Sequence, residues 1–448
     1  MNDFCFYCSD QFITYEQFLF DVEQARIATQ QVAADNVLLF DTNSYQFSVW
    51  LFALIFENRQ VLLPPNAQAG TLAELAEQCQ ATAGSIGLPD KAHISYSSHR
   101  DSRIKITPPL TRTELFQLFN GEVVFYTSGS TGKAKAIKKS CQQLCLEVDT
   151  LTNEFSTLLE SSKSVLTTVS HQHIYGLLFR LLWPLAKGHI IDSEQIQYPE
   201  HIAQRLKNIR YAALVSSPAQ LGRLCADNVL IPERDKIKWL FSSGGPLNNE
   251  HAETLFNQLA RPATQVFGST ETGGIAYRQV TQAAVDVPWQ PFNGNFLSLN
   301  HEGRLMLDSA ILEQSNFPLD DRALVHKNGQ FKLLGRIDRT IKIEEKRLNL
   351  DELESYLQNH DWVKEVKVVV IPAKRVQIGA VVVLSDEANK ELEQQGKLAI
   401  NRALQAHLSN RFERICLPRK WRYIDALPFN SQAKLSLKTL EQYFAKPE

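Results

Sequence analysis

The chain has 448 residues, of which 44% are hydrophobic and 21% charged, and its formal net charge is −2. These values exclude a disordered, collagenous or fibrous protein, and the near-neutral charge argues against a general binder of nucleic acids or anionic membranes. At roughly 150 residues per domain, the length predicts two or three domains.

We expect a cytoplasmic protein without a transmembrane segment. The most apolar run, Phe47–Phe56, is shorter than the ~20 residues of a spanning helix. The N-terminus carries Asp3 and Asp10 in place of the basic region of a secretory signal. The seven cysteines are an odd number spread along the chain, and the Cys5–Cys8 pair has no second pair to complete a metal site, so we expect reduced, structural thiols.

Short apolar runs alternate with helical patterns in the first part of the chain. We predict helices at Tyr15–Gln30, Thr71–Ala81 and Asn249–Leu259, and a further helix after a Ser140–Gln143 capping box, with Cys141 and Cys145 in the core. The predicted buried strands are Val37–Phe40, Val61–Leu63, Val123–Phe125, Val165–Leu166, Ala213–Val215, Trp239–Phe241 and Gln265–Phe267. This alternation is typical of an α/β domain with mostly parallel sheets, which binds ligands at the loops after its strands.

The pattern changes near residue 300. Arg304–Leu307 and Phe331–Leu334 predict antiparallel strands. A smaller unit follows Arg336, with predicted helices at Leu350–Gln358 and Ala399–Leu408 and predicted strands at Val366–Ile371 and Ala380–Leu384. We therefore place a domain boundary after Ile337, which gives a large domain at 1–337 and a small domain at 338–448.

The strongest local signal is the segment Phe125–Lys135, where a predicted strand runs into a loop of glycines and hydroxyl residues that ends with two lysines. Glycines let the backbone curl around a ligand, and hydroxyl groups, backbone N–H groups and lysine bind phosphate oxygens. The segment is not a Walker A loop, because Thr127 replaces the first glycine and Ala134 follows Lys133. A phosphate-binding loop and a flexible surface turn are the two interpretations.

This loop resembles that of the acyl-adenylate-forming enzymes, the AMP-dependent synthetases and ligases, which has the pattern Tyr/Phe-Thr-Ser-Gly-Ser-Thr-Gly-x-Pro-Lys. The match runs from Tyr126 to Lys135, with Ala134 in place of Pro. Further segments resemble motifs of the same family in the same order: His173–Leu177, Ser242–Leu247, Phe267–Glu271, the region of Asp321, Gly335–Asp338 and Pro428–Lys434. The compact length and the Trp289–Phe292 segment are most similar to short bacterial acyl- or aryl-CoA or acyl-carrier-protein synthetases of aryl-polyene-type clusters.

The resemblance implies a large N-terminal domain of mostly parallel sheets with flanking helices and a small distorted barrel, and a small mobile α+β C-terminal domain. It also implies an AMP-forming acid–thiol ligase. In such an enzyme, ATP and Mg²⁺ activate a fatty or aryl carboxylic acid to acyl-AMP with release of pyrophosphate. The acyl group then passes to a phosphopantetheine thiol of CoA or of an acyl carrier protein.

The resemblance also assigns roles to individual residues. The ATP β- and γ-phosphates would be bound by the loop residues Thr127, Ser128, Gly129, Ser130, Thr131, Gly132 and Lys135. The adenosine and acyl sites would be lined by Gly244, Gly245, Phe267 and Gly268, with Asp321 and Arg336 on the ribose and His173 beside the acyl pocket. The chemistry would depend on Thr270 at the α-phosphate, Glu271 on Mg²⁺ and Lys434 as the catalytic cation, and Asp338 would be the hinge.

Two departures from the family pattern bear on the acceptor. Glu345 replaces the glycine that lies against the pantetheine arm, and Ala433 replaces the glycine before Lys434. A cluster of basic residues in the small domain, Arg411, Arg414, Arg419, Lys420 and Arg422, could attract an acidic carrier protein. We therefore expect a carrier protein as the acceptor, with two alternatives: an adenylate former with a non-thiol acceptor, and a non-catalytic nucleotide-binding relative.

Overall fold

A computed structural model describes residues 3–96, 110–128, 134–155, 163–337, 339–343, 346–371, 377–429 and 435–445. Contacts divide the chain into two compact units. Unit 1 comprises the described residues of Met1–Asn295 and Ser309–Glu313, and unit 2 those of Phe296–Asp308 and Gln314–Glu448. The domain boundary predicted after Ile337, between 1–337 and 338–448, stays a prediction.

Unit 1 contains two large sheets. Its strands are β1 (Phe4–Cys8), β2 (Gln11–Thr14), β3 (Asn36–Phe40), β4 (Gln60–Leu63), β5 (Ala81–Gly84), β6 (Ala92–Ile94), β7 (Glu122–Ser128), β8 (Ala134–Ser140), β9 (Ser164–Thr167), β10 (Ile190–Asp192), β11 (Ala212–Ser216), β12 (Ile237–Ser242), β13 (Ala263–Ser269), β14 (Gly273–Gln279) and β15 (Gln290–Pro291). The nine-stranded sheet has the order β15-β14-β13-β12-β11-β9-β10-β1-β2, and the six-stranded sheet the order β6-β5-β3-β4-β7-β8. Pairing is parallel from β1 through β10, β9, β11 and β12 to β13 in the first and from β6 to β7 in the second, which confirms the predicted α/β class.

Helices surround the strands in the same unit. They are α1 (Tyr15–Gln30), α2 (Ser44–Phe56), α3 (Ala69–Leu75), α4 (Arg112–Gln117), α5 (Cys141–Glu154), α6 (Ile174–Gly176), α7 (Trp183–Lys187), α8 (Pro199–Lys207), α9 (Pro218–Asp227) and α10 (Asn249–Leu259), with a π-helical stretch at Leu177–Leu182 and 3₁₀ turns at Ala76–Gln78 and Ile231–Lys236. One core cluster contains side chains from both sheets and from α1, α2 and α5, among them Phe6, Val61, Phe18, Phe52 and Leu144. The two sheets therefore share one hydrophobic core.

Local signals explain where two helices begin. The Thr14 hydroxyl accepts a hydrogen bond from Gln17 N at 3.1 Å and caps α1. The predicted capping box of Ser140 and Gln143 is present at the start of α5 and confirms that prediction. Cys141 is buried in the core, and all seven cysteines are free thiols.

The helix predicted at Thr71–Ala81 is wrong in its second half. Helix α3 ends at Leu75, a 3₁₀ turn follows, and Ala81 begins strand β5. Ala81 pairs with Val37 of β3, and Gln80 N donates to Asn36 O at 2.9 Å. Pairing with a distant strand therefore overrides the local helical pattern.

Unit 2 is built from mostly antiparallel strands and α-helices. Its elements are β16 (Asn295–Leu299), β17 (Arg304–Ser309), β18 (Phe317–Val325), β19 (Phe331–Arg336), β20 (Thr340–Ile343), β21 (Lys346–Asn349), α11 (Leu350–Gln358), β22 (Val363–Ile371), β23 (Gln377–Leu384), α12 (Asp386–Ser409), a 3₁₀ turn at Arg414–Cys416, β24 (Lys420–Tyr423) and α13 (Leu437–Gln442). Strands β16-β17-β18-β19 form the curled sheet predicted as a small barrel, and β22-β23-β24 form a three-stranded sheet. Side chains of α11, α12 and this second sheet, including Leu353, Leu404 and Val382, pack in one core.

Helix α12 is longer than the predicted Ala399–Leu408 and changes direction at Gly396, whose φ of 75° is non-helical. A glycine tolerates this angle because it has no Cβ atom. None of the helices in the described part of the chain combines the length and apolar character needed to cross a bilayer.

Candidate active site

The described motif residues of unit 1 lie where parallel strands end. Strands β12 and β13 are neighbours with Ser242 opposite Gln265, so Ser243–Gly245 and Phe267–Gly268 follow at the same edge of the sheet. The Ser243 hydroxyl donates to Val266 O at 2.9 Å and joins the two segments. This edge is where open α/β sheets bind their ligands. The structure therefore joins the start of the Ser242–Leu247 motif to the strand that carries Phe267 and Gly268.

A tight turn between β13 and β14 carries Thr270 and Glu271. We call residues Ser269–Gly273 the acidic turn. Ser269 N donates to Thr272 Oγ1 at 3.1 Å, and Thr272 N donates to Ser269 Oγ at 3.2 Å. These two reciprocal hydrogen bonds stabilise the turn. A Cβ atom at position 268 would lie 2.2 Å from Gly273 O, which explains why the motif has glycine there.

Lys135 lies next to this turn. It is on β8, opposite Thr127 of β7, directly after the loop of the predicted phosphate site. Its Nζ atom is 2.7 Å from Glu271 Oε1, although 136 residues separate the two in sequence. Partial burial, the largest single influence, raises the pKa of Glu271, but the hydrogen bond and charge of Lys135, a backbone hydrogen bond and the Ser269 side chain together outweigh it and hold the pKa of that carboxyl below its usual value. Glu271 is therefore ionised at neutral pH.

The segment after β9 places His171 and His173 in different environments. His171 is buried against Phe47, and its Nε2 atom is 2.8 Å from Asp41 O. Burial and the nearby charge of Arg180 lower the pKa of His171 well below its ordinary value, so its ring is neutral. His173 is half-buried and directly precedes α6. A Cβ atom at position 176 would lie 2.0 Å from Ser170 O, so this motif also requires its glycine.

An aromatic cluster lies beyond His173 and joins the helical segment that follows it to strand β12. Tyr175, Phe179 and Phe241 follow one another with ring centroids 4.9 and 5.1 Å apart. The Tyr175 hydroxyl donates to Ser216 O at 3.2 Å, at the end of β11. Among the described residues, no group of three or more His, Cys, Asp and Glu side chains is arranged to hold a metal ion.

Asp321 and Arg336 occupy unit 2. They lie opposite each other on β18 and β19. The neighbouring Asp320 forms an ion pair with Arg304 at 2.9 Å and a longer one with Arg336 at 3.5 Å. The structure therefore brings the two predicted ribose-binding residues together on adjacent strands.

Several predicted site residues lie outside the described residues. They are Gly129, Ser130, Thr131, Gly132, Asp338 and Lys434, and only the backbone of Ser128 is described. Their roles stay predictions.

Sequence reasoning missed one polar pair at the site. Lys139 and Glu147 are both buried, and Glu147 contacts the residue that follows the acidic turn. Two signals could have revealed them. Lys139 shares a strand face with the buried Ile137, and Glu147 occupies the apolar stripe of α5 with Leu144 and Val148.

Comparison with known proteins agrees with the motifs. The family described as AMP-binding enzyme matches residues 2–294. A 4-chlorobenzoate–CoA ligase from Arthrobacter is 24% identical over 351 residues, which cover 71% of this chain and 65% of that protein. A D-alanine–D-alanyl carrier protein ligase from Staphylococcus aureus is 25% identical over 374 residues, covering 73% of this chain and 72% of that protein.

A solved structure shows the same fold over almost the whole chain. ATP-bound MatB from Rhodopseudomonas palustris superposes with a TM-score of 0.76 and covers 97% of this chain and 94% of its own, at 15% sequence identity. At this identity the likeness concerns the fold.

Proposed function

Because the chain belongs to the AMP-binding enzyme family, we propose that it activates a fatty or aryl carboxylic acid with ATP to acyl-AMP and transfers the acyl group to a phosphopantetheine thiol. The observation that carries the proposal is the contact between Lys135 and Glu271. It joins the end of the predicted phosphate loop to the acidic turn at the ligand-binding edge of the sheet. A non-catalytic relative would have no need for this pair of charges at that place.

The reaction joins two anions, because a carboxylate attacks the α-phosphorus of ATP. The site must therefore supply positive charge and hold the reacting groups in line. Lys135 supplies one cation at the phosphates, and we assign a second to Lys434. Thr270 would donate from its hydroxyl group to the α-phosphate.

Glu271 fits a magnesium site. Its carboxylate is ionised and 34% exposed, and Mg²⁺ in nucleotide sites takes one or two carboxylates together with phosphate oxygens and water. Bound there with the nucleotide, Mg²⁺ would supply positive charge that screens the phosphates. Lys135 would then bind phosphate oxygens in place of Glu271. With the nucleotide bound, the two partners would separate, with Glu271 on Mg²⁺ and Lys135 on the phosphates.

The proposal predicts acid-dependent release of pyrophosphate. The purified protein, with ATP and MgCl₂, is assayed against benzoic, cinnamic and fatty acids, and hydroxylamine traps the acyl-AMP as a hydroxamate. Glu271→Gln should lower the rate about 10- to 1000-fold, because it removes a charge that the transition state requires. Glu250→Gln, at an exposed position on α10, is the matched control and should act like the wild type. Absence of acid-dependent pyrophosphate with every acid would contradict the proposed function.

We propose a carrier protein as the acceptor. Within the described residues, Arg414 and Arg419 are exposed and have no acidic partner, whereas Arg411 is paired with Glu352 at 2.6 Å. Unpaired surface cations of this kind attract acidic proteins over distance. The carboxylate of Glu345 would also repel the phosphates of free CoA if it lies near the thiol arm.

The acceptor is identified by comparing transfer to free CoA and to a phosphopantetheinylated carrier protein at low and high salt. We expect a preference for the carrier that weakens as salt rises. Arg419→Glu should lower kcat/KM for the carrier about 3- to 10-fold at low salt, whereas Lys390→Glu, an exposed charge change on α12, should not. Efficient, salt-insensitive transfer to CoA alone would overturn this assignment, and transfer only to an amine would point to a non-thiol acceptor.

A further inference from the structure

A buried pair of charged side chains lies beneath the acidic turn. Lys139, near the end of β8, and Glu147, in the second turn of α5, are only 2% and 3% exposed, and their Nζ and Oε1 atoms are 3.9 Å apart. Among the described residues, neither of these two atoms has a hydrogen-bond partner. The two charges therefore attract each other electrostatically, without a hydrogen bond between them.

Stability alone does not account for such a pair. Two charges lose their hydration when they are buried, and their attraction compensates only when the geometry is good and the remaining polar atoms are hydrogen-bonded. Here one atom of each partner lacks a hydrogen bond. Burial lowers the pKa of Lys139 and raises the pKa of Glu147, so each charge depends on the other. Two apolar side chains of similar size would fill this space with equal or greater stability.

The second oxygen of Glu147 has a specific partner. Its Oε2 atom accepts a hydrogen bond from Gly274 N at 3.1 Å, directly after the acidic turn. A Cβ atom at position 273 would lie 2.3 Å from the same oxygen, so the carboxylate lies against the backbone of the turn. Asn295 Nδ2 donates to Gly274 O at 3.1 Å from the other side of that peptide segment. Gly274 is thus held through both its N–H and its C=O group.

Strand β8, which carries Lys139, also contacts the exposed side of the acidic turn through Lys135. Lys135 of β8 contacts Glu271 directly, and Lys139, four residues further along β8, interacts electrostatically with Glu271. The strand that follows the predicted phosphate loop is therefore linked to the acidic turn twice. One link is the surface ion pair, and the other runs from Lys139 through Glu147 to Gly274.

We propose that Glu147 is a positioning residue, which fixes the acidic turn through the N–H group of Gly274 so that Thr270 and Glu271 face the nucleotide, with Lys139 as its counter-charge. The effect on the turn follows from the contacts in this structure, and its effect on catalysis rests on the proposed function. Glu147 acts through the backbone and does not touch substrate.

Two double variants separate the hydrogen bond from the charges. Lys139→Met/Glu147→Gln removes both charges but keeps an acceptor for Gly274 N–H, whereas Lys139→Met/Glu147→Leu removes the acceptor as well. We expect the leucine variant to exchange the backbone amides of Gly268–Ile275 about tenfold faster and to need about tenfold more Mg²⁺ for half-maximal pyrophosphate release, since it loses one hydrogen bond. The glutamine variant should stay within about threefold of the wild type on both measures.

The outcomes distinguish the inference from the proposed function. Equal amide exchange and equal Mg²⁺ dependence in the two double variants would overturn the positioning role. If the wild-type protein releases no pyrophosphate with any acid, the proposed function fails, yet the exchange comparison still decides whether Glu147 holds the turn. Should the leucine variant not fold, Lys139→Met/Glu147→Met provides the same comparison.

Discussion

Replacing Lys434 with alanine is expected to lower acid-dependent pyrophosphate release by about 100-fold or more, while transfer from supplied acyl-AMP continues. During adenylation, negative charge moves from the attacking carboxylate and the α-phosphate onto the leaving pyrophosphate. A compact ammonium group that contacts both reacting groups can follow that charge, whereas the methyl group of alanine cannot. Transfer to the thiol forms no pyrophosphate, so it should not depend on this cation.

The two half-reactions are measured separately. Pyrophosphate release reports adenylation, and thioester formation from synthetic acyl-AMP reports transfer. Lys438→Ala, at an exposed position of α13, removes a nearby lysine outside the motif and should leave both rates unchanged. Wild-type adenylation by the Lys434→Ala variant would remove this residue from the mechanism.

Replacing Asp338 with proline is expected to leave adenylation intact and to reduce thioester formation to background. We expect the small domain to rotate about this residue between the half-reactions, and proline fixes the φ angle that such a rotation would change. Within unit 2, contacts cross the predicted pivot: Arg336 N donates to Asp351 Oδ2 at 2.9 Å, and Asn349 Nδ2 donates to Arg336 O at 3.1 Å. A rotation at 338 would have to break them.

Asp338→Ala is the matched control for this prediction. It removes the same carboxylate but leaves the backbone free, so transfer should persist. Equal loss of both half-reactions in the proline variant would show that Asp338 is structural. In that case, the boundary after Ile337 would not be a pivot.

The sequence predicted those elements whose signals are local. The bounds of Tyr15–Gln30, Asn249–Leu259 and Leu350–Gln358 agree with the structure, because an Asn or Thr side chain caps each helix start. The second half of Thr71–Ala81 was wrong because its structure depends on a partner strand far away in sequence. Local patterns carry no information about such partners.

The same distinction applies to the candidate site. Spaced motifs identified Lys135 and Glu271 as candidate site residues, and the structure places their charged groups 2.7 Å apart. The contact of Glu147 with Gly274 could not be predicted in the same way, since it joins a helix to a turn 127 residues away. An acidic residue on an apolar helix face was visible in the sequence, but its partner was not.

The buried thiols have a consequence for the proposed function, because acyl-AMP is an electrophile that acylates thiols. The nucleophile is the thiolate, and burial raises the pKa of Cys145 and of Cys225 to about 11 and that of Cys141 still further. These side chains therefore stay protonated at neutral pH. These three thiols are in this way protected against acylation by the product of the proposed reaction.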